Sequence, residues 1–466
     1  MMNEQSAPST TETASDVHDL YGLTPELLHA ILESLSGDDA NRLEALIVPL
    51  HPADVADLLE QITAHQRRQV LDALRPEFDP EVLAHLDESV LEDVVEILGT
   101  DDVAHMVEQL ETDDAVDVLE DLDQDLQDEV LAAVPFASRR AVEEGLTFPE
   151  DSAGRLMRRD VVAVPMFWNI GQTIDYLRAS DDLPDDFYDV FIVDPQHKPL
   201  GSVPVSRILR NRRETRLQNL VEDAEPTTVN ADTDQEEVAY VFQQYGLSEM
   251  AVTDNDGRLL GAITFDDVVD VISEVTEEDT LRLGGVAQAD LNDEIVTTTR
   301  KRFLWLFVNL GTAVLASFVI GIFEGTLERF VALAVLMPIV ASMGGNAGTQ
   351  TMTVAVRALA TRDLTRANAL RVVGKEVVVG LLNGLLFAVL VGLVAWQWFQ
   401  EPMLGVVIGI AMVVNLLVAG MAGALIPIGL NAIKVDPAVS AGVFLTTVTD
   451  VVGFFVFLAL GAAILL

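Results

Sequence analysis

The chain has no cysteine. Disulfides and thiolate metal sites are therefore excluded, and the composition fits a reducing compartment. Lysine is nearly absent as well: Lys198, Lys301, Lys375 and Lys434 are the only four. The first 20 residues lack both a basic n-region and an apolar h-region, so no signal peptide is expected, and Ser/Thr-rich residues 1–16 read as a disordered tail. No G-x-x-x-x-G-K-[ST] phosphate loop occurs, which removes P-loop ATP hydrolysis as a source of drive. The seven histidines (His18, His29, His51, His65, His85, His105, His197) are dispersed, and no nucleophile–base constellation stands out. An enzyme is not expected, nor a nucleic-acid partner for so acidic a chain.

What is present is uneven. Residues 1–299 hold 18 Lys+Arg against 67 Asp+Glu, a net of −49. Residues 300–466 hold 10 against 7, a net of +3. An acidic soluble part thus precedes an apolar membrane part. Most of the acidity reads as solvation suited to concentrated intracellular salt, which screens like charges. Only acids in special places call for a functional reading.

Five stretches are long and apolar enough to span a bilayer: about 303–323, 331–356, 377–399, 403–430 and 439–465. Basic residues flank alternate ends. Arg300, Lys301 and Arg302 precede the first span; Arg357, Arg362, Arg366, Arg371 and Lys375 lie between the second and third; Lys434 lies between the fourth and fifth. The opposite loops hold only Arg329, beside Glu324, Glu328 and Glu401. Basic loops stay cytoplasmic, so the soluble half is expected inside a multi-pass plasma-membrane protein and the C-terminus outside.

Two spans are not plain lipid anchors. The second contains Pro338, Gly344-Gly345-Asn346-Ala347-Gly348 and Gln350. That pattern suits either close packing through small residues or a locally opened, polar-lined helix. The fourth carries Asn415 and Pro427. The fifth carries Thr446, Thr447, Thr449 and, in mid-span, Asp450. A carboxylate costs about 2.5–3.5 kcal/mol at the centre of a membrane helix on insertion scales. No Lys or Arg falls within any of the five stretches, so a passing cation is the simplest partner.

The soluble half contains two repeats. "SVLEDVVEIL" (89–98), "DDVAHMVEQL" (101–110), "DDAVDVLEDL" (113–122) and "DLQDEVLAAV" (125–134) recur every twelve residues with helical apolar spacing, which predicts short stacked helices in a superhelical module. Farther on, "FIVDPQHKPLGSVPVSRIL" (191–209) matches "AVTDNDGRLLGAITFDDVV" (251–269), pairing Asp194 with Asp254 and Gly201 with Gly261. Each copy reads as a β-α-β-β-α unit. A last acidic helix, 266–285, ends at Gly284-Gly285 and leads toward the membrane. Asp267, Asp270 and Glu274 share one of its faces, where like charges repel. A solvated linker helix and a cation-bridged one both account for it.

These motifs, in this order, resemble the MgtE family of magnesium transporters over nearly everything after residue 20. "HPADVADLLEQI" (51–62) and "DDAVDVLEDL" resemble its N-terminal helical domain, and "FPEDSAGRLM" (148–157) its lead into tandem CBS units. "GGNAGTQ" (344–350), "VDPAVSAG" (435–442) and "TTVTDVVGF" (446–454) resemble its pore domain. The resemblance implies a multi-domain membrane protein: an all-α superhelical N domain (20–147) after a tail (1–19), an α/β tandem CBS domain (148–273), a connecting helix and linker (274–299) and a five-helix transmembrane pore domain (300–466). It implies a homodimer in membrane lipid that takes up Mg²⁺ and senses Mg²⁺ inside. Asp450 falls on the ion-selecting carboxylate; Asn346, Gln350, Thr446 and Thr447 fall on pore-lining positions. Asp436, Asp267, Asp270, Glu274, Glu277, Glu278, Asp113, Asp117 and Glu236 fall on or near positions for regulatory magnesium.

The chain also departs from the pattern. Gly246 stands where the family often has an acid in that network. Arg207 stands where a nucleotide-binding copy would carry a ribose-binding Asp, which counts against ATP; the second copy keeps Thr264 and Asp267 as nucleotide candidates. Two rivals remain: a channel for another divalent ion (Co²⁺, Mn²⁺ or Ca²⁺), and a membrane-anchored CBS sensor that transports nothing.

Overall fold

The computed structural model describes residues 22–37, 39–180, 183–184, 186–221, 226–286 and 295–466. The expected tail 1–19 and linker residues 287–294 lie outside them. The chain divides into two compact units, Met1–Ile272 and Ser273–Leu466.

The first unit opens with nine short helices: α1 (Pro25–Ser36), α2 (Ala40–Ile47), α3 (Pro52–Gln61), α4 (Ala64–Leu74), α5 (Glu88–Leu98), α6 (Thr100–Val107), α7 (Thr112–Glu120), α8 (Gln124–Ala133) and α9 (Phe136–Gly145), with a 3₁₀ turn at Pro80–His85 before α5. From α5 to α8 the starts fall at Glu88, Thr100, Thr112 and Gln124, the twelve-residue period of the sequence. Side-chain caps start several of the earlier helices. Thr63 and Gln66 form a reciprocal capping box on α4, and Thr24, Asp39 and His51 accept from the first turns of α1, α2 and α3. Each helix is too short to be stable alone, so stability comes from the shared apolar stripe: Leu58, Leu59, Val94, Val95 and Leu119 are fully buried in one core.

Two copies of the expected unit follow. The first is β1 (Ala163–Pro165), α10 (Ile170–Ala179), β2 (Asp189–Val193), β3 (Pro199–Pro204) and α11 (Val205–Arg210). The second is β4 (Thr228–Asn230), α12 (Gln235–Tyr245), β5 (Glu249–Thr253), β6 (Leu259–Thr264) and α13 (Phe265–Leu283). In both sheets the first pair is parallel and the second antiparallel. The repeated aspartates do one job twice. Asp194 Oδ1 accepts from the amides of Gln196 and Lys198, and Asp254 Oδ1 from those of Asp256 and Arg258, closing equivalent turns at 2.8–2.9 Å. Gly246 caps α12 in the left-handed conformation at φ +64°, a turn requirement that accounts for glycine where an acid was looked for.

Helix α13 ends at Leu283, and Gly285 turns the chain at φ +74°. The membrane part holds α14 (Ile295–Ile322), the short α15 (Glu324–Arg329), α16 (Val331–Ala360), α17 (Ala369–Phe399), α18 (Pro402–Ala432) and α19 (Pro437–Leu465). Five of these are long and apolar enough to cross a membrane. They run past the apolar windows of the sequence. Helix α17 starts at Ala369 rather than near 377, so Arg371, Lys375 and Glu376 are helical and the spans are not free of charge at their ends. Helix α16 is continuous through Pro338 and the glycine cluster, with no opened turn. Helix α18 lies centrally, packed on α16, α17 and α19.

Candidate functional site

The glycines of α16 serve as contact points. Gly348 meets Leu445 of α19 so closely that an added methyl would come within 2.8 Å of Leu445 Cδ1. Gly344 meets the Asn415 amide of α18, and Gly453 of α19 meets the same amide from the other side. Residue 344 is thus level with 453 and residue 348 with 445, which brings Asn346 and Asp450 to one depth. Asn346 is exposed on the single chain, with a long contact to Ser342 Oγ at 3.4 Å. Gln350, one turn along, is exposed as well. Asp450 is half-buried, and no hydrogen bond or ion pair among the described residues engages its side chain. The hydroxyls of Thr446, Thr447 and Thr449 donate to the carbonyls of Gly442, Val443 and Leu445 on their own helix, at 2.7–3.1 Å. Their oxygens keep acceptor capacity for a hydrated cation.

One acid inside a span escaped the sequence reading. Glu376 accepts from the buried Thr351 hydroxyl of α16 at 3.1 Å. Its signal was Gly380 and Gly384, which extend the close-packed face of α17 to the same helix start.

At the start of α19, Asp436 Oδ1 accepts from the Ala438 amide at 2.8 Å, a helix cap. Its Oδ2 accepts from Arg282 of α13 at 2.9 Å, and the same guanidinium pairs with Glu278. Leu283, next along, packs among Met352, Ala438, Ala441 and Leu445. Two of the residues assigned to regulatory magnesium, Glu278 and Asp436, thus have an arginine between them. Burial and the Asp436 charge raise the neighbouring Asp279 carboxyl. Glu274 and Glu277 are exposed on α13.

A second acidic group lies within the first unit. Asp113, at the start of α7, is buried at 7% exposure. Burial, then the charge of Asp267, raises its carboxyl well above the ordinary range. Asp114 is pushed up to about 7 by burial and then by Asp267. Asp267 itself is raised to about 6 by burial, although the Thr264 hydroxyl donates to it at 2.6 Å. Burial and crowding both disfavour their charged forms. A resident cation already stands close by. Arg158, 4% exposed, pairs with Glu111 at 2.9 Å, and its charge also acts on Glu249, Asp113 and Asp267. Asp270 is raised by burial, against the pull of His85. Asp117 and Glu236 are exposed, on α7 and α12. Among the described residues no three acids or histidines gather as one metal-holding group.

A cavity of about 650 Å³ opens between the two β-α-β-β-α copies, lined by Tyr188, Asp189, Phe191, Arg207 and Glu249 among others. The nucleotide candidates Thr264 and Asp267 are not in its lining; they bond to each other at the start of α13.

Comparison with known proteins matches residues 337–460 to the MgtE divalent cation transporter family, residues 50–151 to the MgtE intracellular N domain and residues 221–274 to the CBS domain. Magnesium transporter MgtE of Thermus thermophilus is 31% identical, over 94% of this chain and 99% of its own. The chain belongs to the MgtE family. A second MgtE relative, from Enterococcus faecalis, is 30% identical over 68% of this chain and 70% of its own. A solved cytosolic domain of the Mg²⁺ channel MgtE in complex with ATP matches 52% of this chain at 27% identity, with a TM-score of 0.48. As an MgtE-family member the chain is a multi-pass membrane protein and not an enzyme. The CBS match covers only the second β-α-β-β-α copy, whereas the backbone of the first has the same strand pairing.

Proposed function

We propose that this chain conducts Mg²⁺ into the cell down its electrochemical gradient and closes when Mg²⁺ inside is high. The observation that carries the reading is Asp450: a carboxylate in mid-span, level with Asn346 and flanked by threonine oxygens, in a chain of this family. Mg²⁺ dehydrates reluctantly, so a hydrated ion suits carboxylate and amide oxygens rather than a closed cage. In a two-fold homodimer, one Asp450 from each chain forms a paired site on the axis. An occupying Mg²⁺ offsets both charges, which removes the cost of burying them. Inside-negative potential supplies about 4.6 kcal/mol per 100 mV for a divalent ion, twice the single-charge value. The basic loops favour an orientation with the acidic half inside, where it would meet the ion.

Gating follows from the acidic groups. Burial raises the Asp113, Asp114 and Asp267 carboxyls, and the Asp267 charge adds to the rise at the first two. Mg²⁺ would favour their ionised forms and draw the helical domain onto the CBS pair. Glu274, Glu277, Glu278 and Asp436 would act similarly at the inner ends of the spans, with Arg282 sharing that task. Each is an ion-biased two-state element. Other divalent ions stay in play because the donors are all oxygen. Purified protein in vesicles tests the reading: Mg²⁺ influx should exceed Ca²⁺ and Co²⁺ influx and fall as Mg²⁺ inside rises. A chain that moved no divalent ion would be a membrane-anchored sensor instead.

A further inference from the structure

Helix α18 carries one amide side chain in its middle, Asn415, with 0% exposure. Its Nδ2 donates to the Val340 carbonyl of α16 at 2.8 Å. Its Oδ1 is buried and has no hydrogen-bond partner among the described residues. Gly344 and Gly453 present their Cα hydrogens to the carboxamide from two sides. A methyl at 453 would lie 2.9 Å from Nδ2, and one at 344 would overlap it.

Helix packing alone does not account for this set. Alanine at 415 would serve the helix contact without leaving an unmatched acceptor in a membrane interior, and would not demand glycine on both neighbouring helices. The demand falls at two particular places. Gly344 is two residues before Asn346, and Gly453 is three residues after Asp450. At about 100° per residue, Asn346 points away from α18, and Asp450 lies about 60° round from the face of Gly453. Asn415 therefore reaches both positions only through backbone.

We propose that Asn415 is a positioning residue of the ion pathway: its carboxamide keys α16 to α19 in depth and rotation, so that Asn346 and Asp450 face the ion together. The inference rests on the reading of those two residues as ion-lining. The hydrogen bond to Val340 fixes where α16 stands along α18, and Gly453 admits the amide at one depth of α19. A slip of one helix turn, about 5.4 Å, would part Asn346 from Asp450, and along α19 it would bring Thr449 or Phe457 against the amide.

The test uses full-length protein in vesicles, with Mg²⁺ influx measured against external Mg²⁺ and against Ca²⁺ and Co²⁺ as competitors. Asn415→Leu keeps the branched shape and removes the hydrogen bond. It should elute and melt like wild type, yet lose at least about tenfold in maximal Mg²⁺ influx and discriminate less between Mg²⁺ and Ca²⁺. The pair Asn415→Ala with Gly344→Ala puts a methyl where the amide was, and should show the same loss with folding kept. Wild-type influx and selectivity in either variant would overturn the proposal, since packing would then suffice. Failure of both variants to fold would also overturn it, by making Asn415 a structural residue alone. Wild-type protein that carried no Mg²⁺ would count against the proposed function, a result separate from these.

Discussion

Replacing Arg282 by glutamine should open the pore at low internal Mg²⁺. The guanidinium bonds Asp436 at the start of α19 and Glu278 on its own helix, and Leu283 beside it packs against α16 and α19. A hydrogen bond to a charged group is worth about 1.5–3 kcal/mol when well shielded. The three side chains are 28–38% exposed, so screening pulls the value toward the 0.2–1 kcal/mol of surface pairs. About 1–2 kcal/mol for the whole clamp is a reasonable compromise, a bias of roughly 5- to 30-fold. Arg282→Gln should therefore raise Mg²⁺ influx with Mg²⁺ absent inside, by at most that roughly 5- to 30-fold. It also frees two carboxylates, so the contrast between low and high internal Mg²⁺ should widen. Arg282→Lys should fall between, because one ammonium cannot fork to two carboxylates as a guanidinium does. Influx is read in vesicles loaded with a Mg²⁺ series, after confirming that each variant elutes as wild type. If Arg282→Gln tracked wild type across the series, the idea that α13 is latched to the pore helices would be wrong.

Introduced cysteines in this Cys-free chain should react from outside at Gln400 and from inside at Arg366; the reverse pattern would contradict the assigned orientation. Without Mg²⁺, docking of the helical domain on the CBS pair should weaken as pH rises from about 4 to 7. The sign follows from the raised carboxyls: Asp114 at about 7 and Asp267 at about 6 bind more protons when docked than their ordinary value of 3.8 allows, so docking is fully stabilised below that value and loses support as pH rises through 6 and 7. Limited proteolysis across that range should show it, and millimolar-scale Mg²⁺ should flatten the trend; a trend of opposite sign would refute the crowding argument. Gly348→Leu should misassemble the pore helices, since even its Cβ would overlap Leu445 at 2.8 Å, and thermal unfolding in detergent should show a clear loss of stability.

Periodicity carried the domain order. The twelve-residue helical period and the paired turn aspartates 194 and 254 are local signals, and the backbone follows both. Helix ends were read less well, because apolar windows stop at the first charge while the helix does not. That is how Glu376 came to lie within α17, bonded to Thr351. The arginines were not legible at all. Arg282 meets Asp436 across 154 residues and Arg158 meets Glu111 across 47, and a lone arginine in an acidic stretch has no motif to announce its partner. Acidic runs suggested metal bridges, and tertiary packing placed a guanidinium in two of the gaps. By sequence alone the glycine cluster of α16 suits either packing or pore lining. It proves to divide by face: Gly344 and Gly348 pack, while Asn346 and Gln350 remain exposed on the other side.

Everything in the proposed transport turns on Asp450, and Asp450→Ala in reconstituted vesicles tests it most directly. The account predicts a variant that folds and elutes as wild type, because the aspartate side chain makes no hydrogen bond or ion pair among the described residues that its loss would break, but admits no Mg²⁺ above the rate of empty vesicles. Mg²⁺ influx at the wild-type rate in that variant would contradict it.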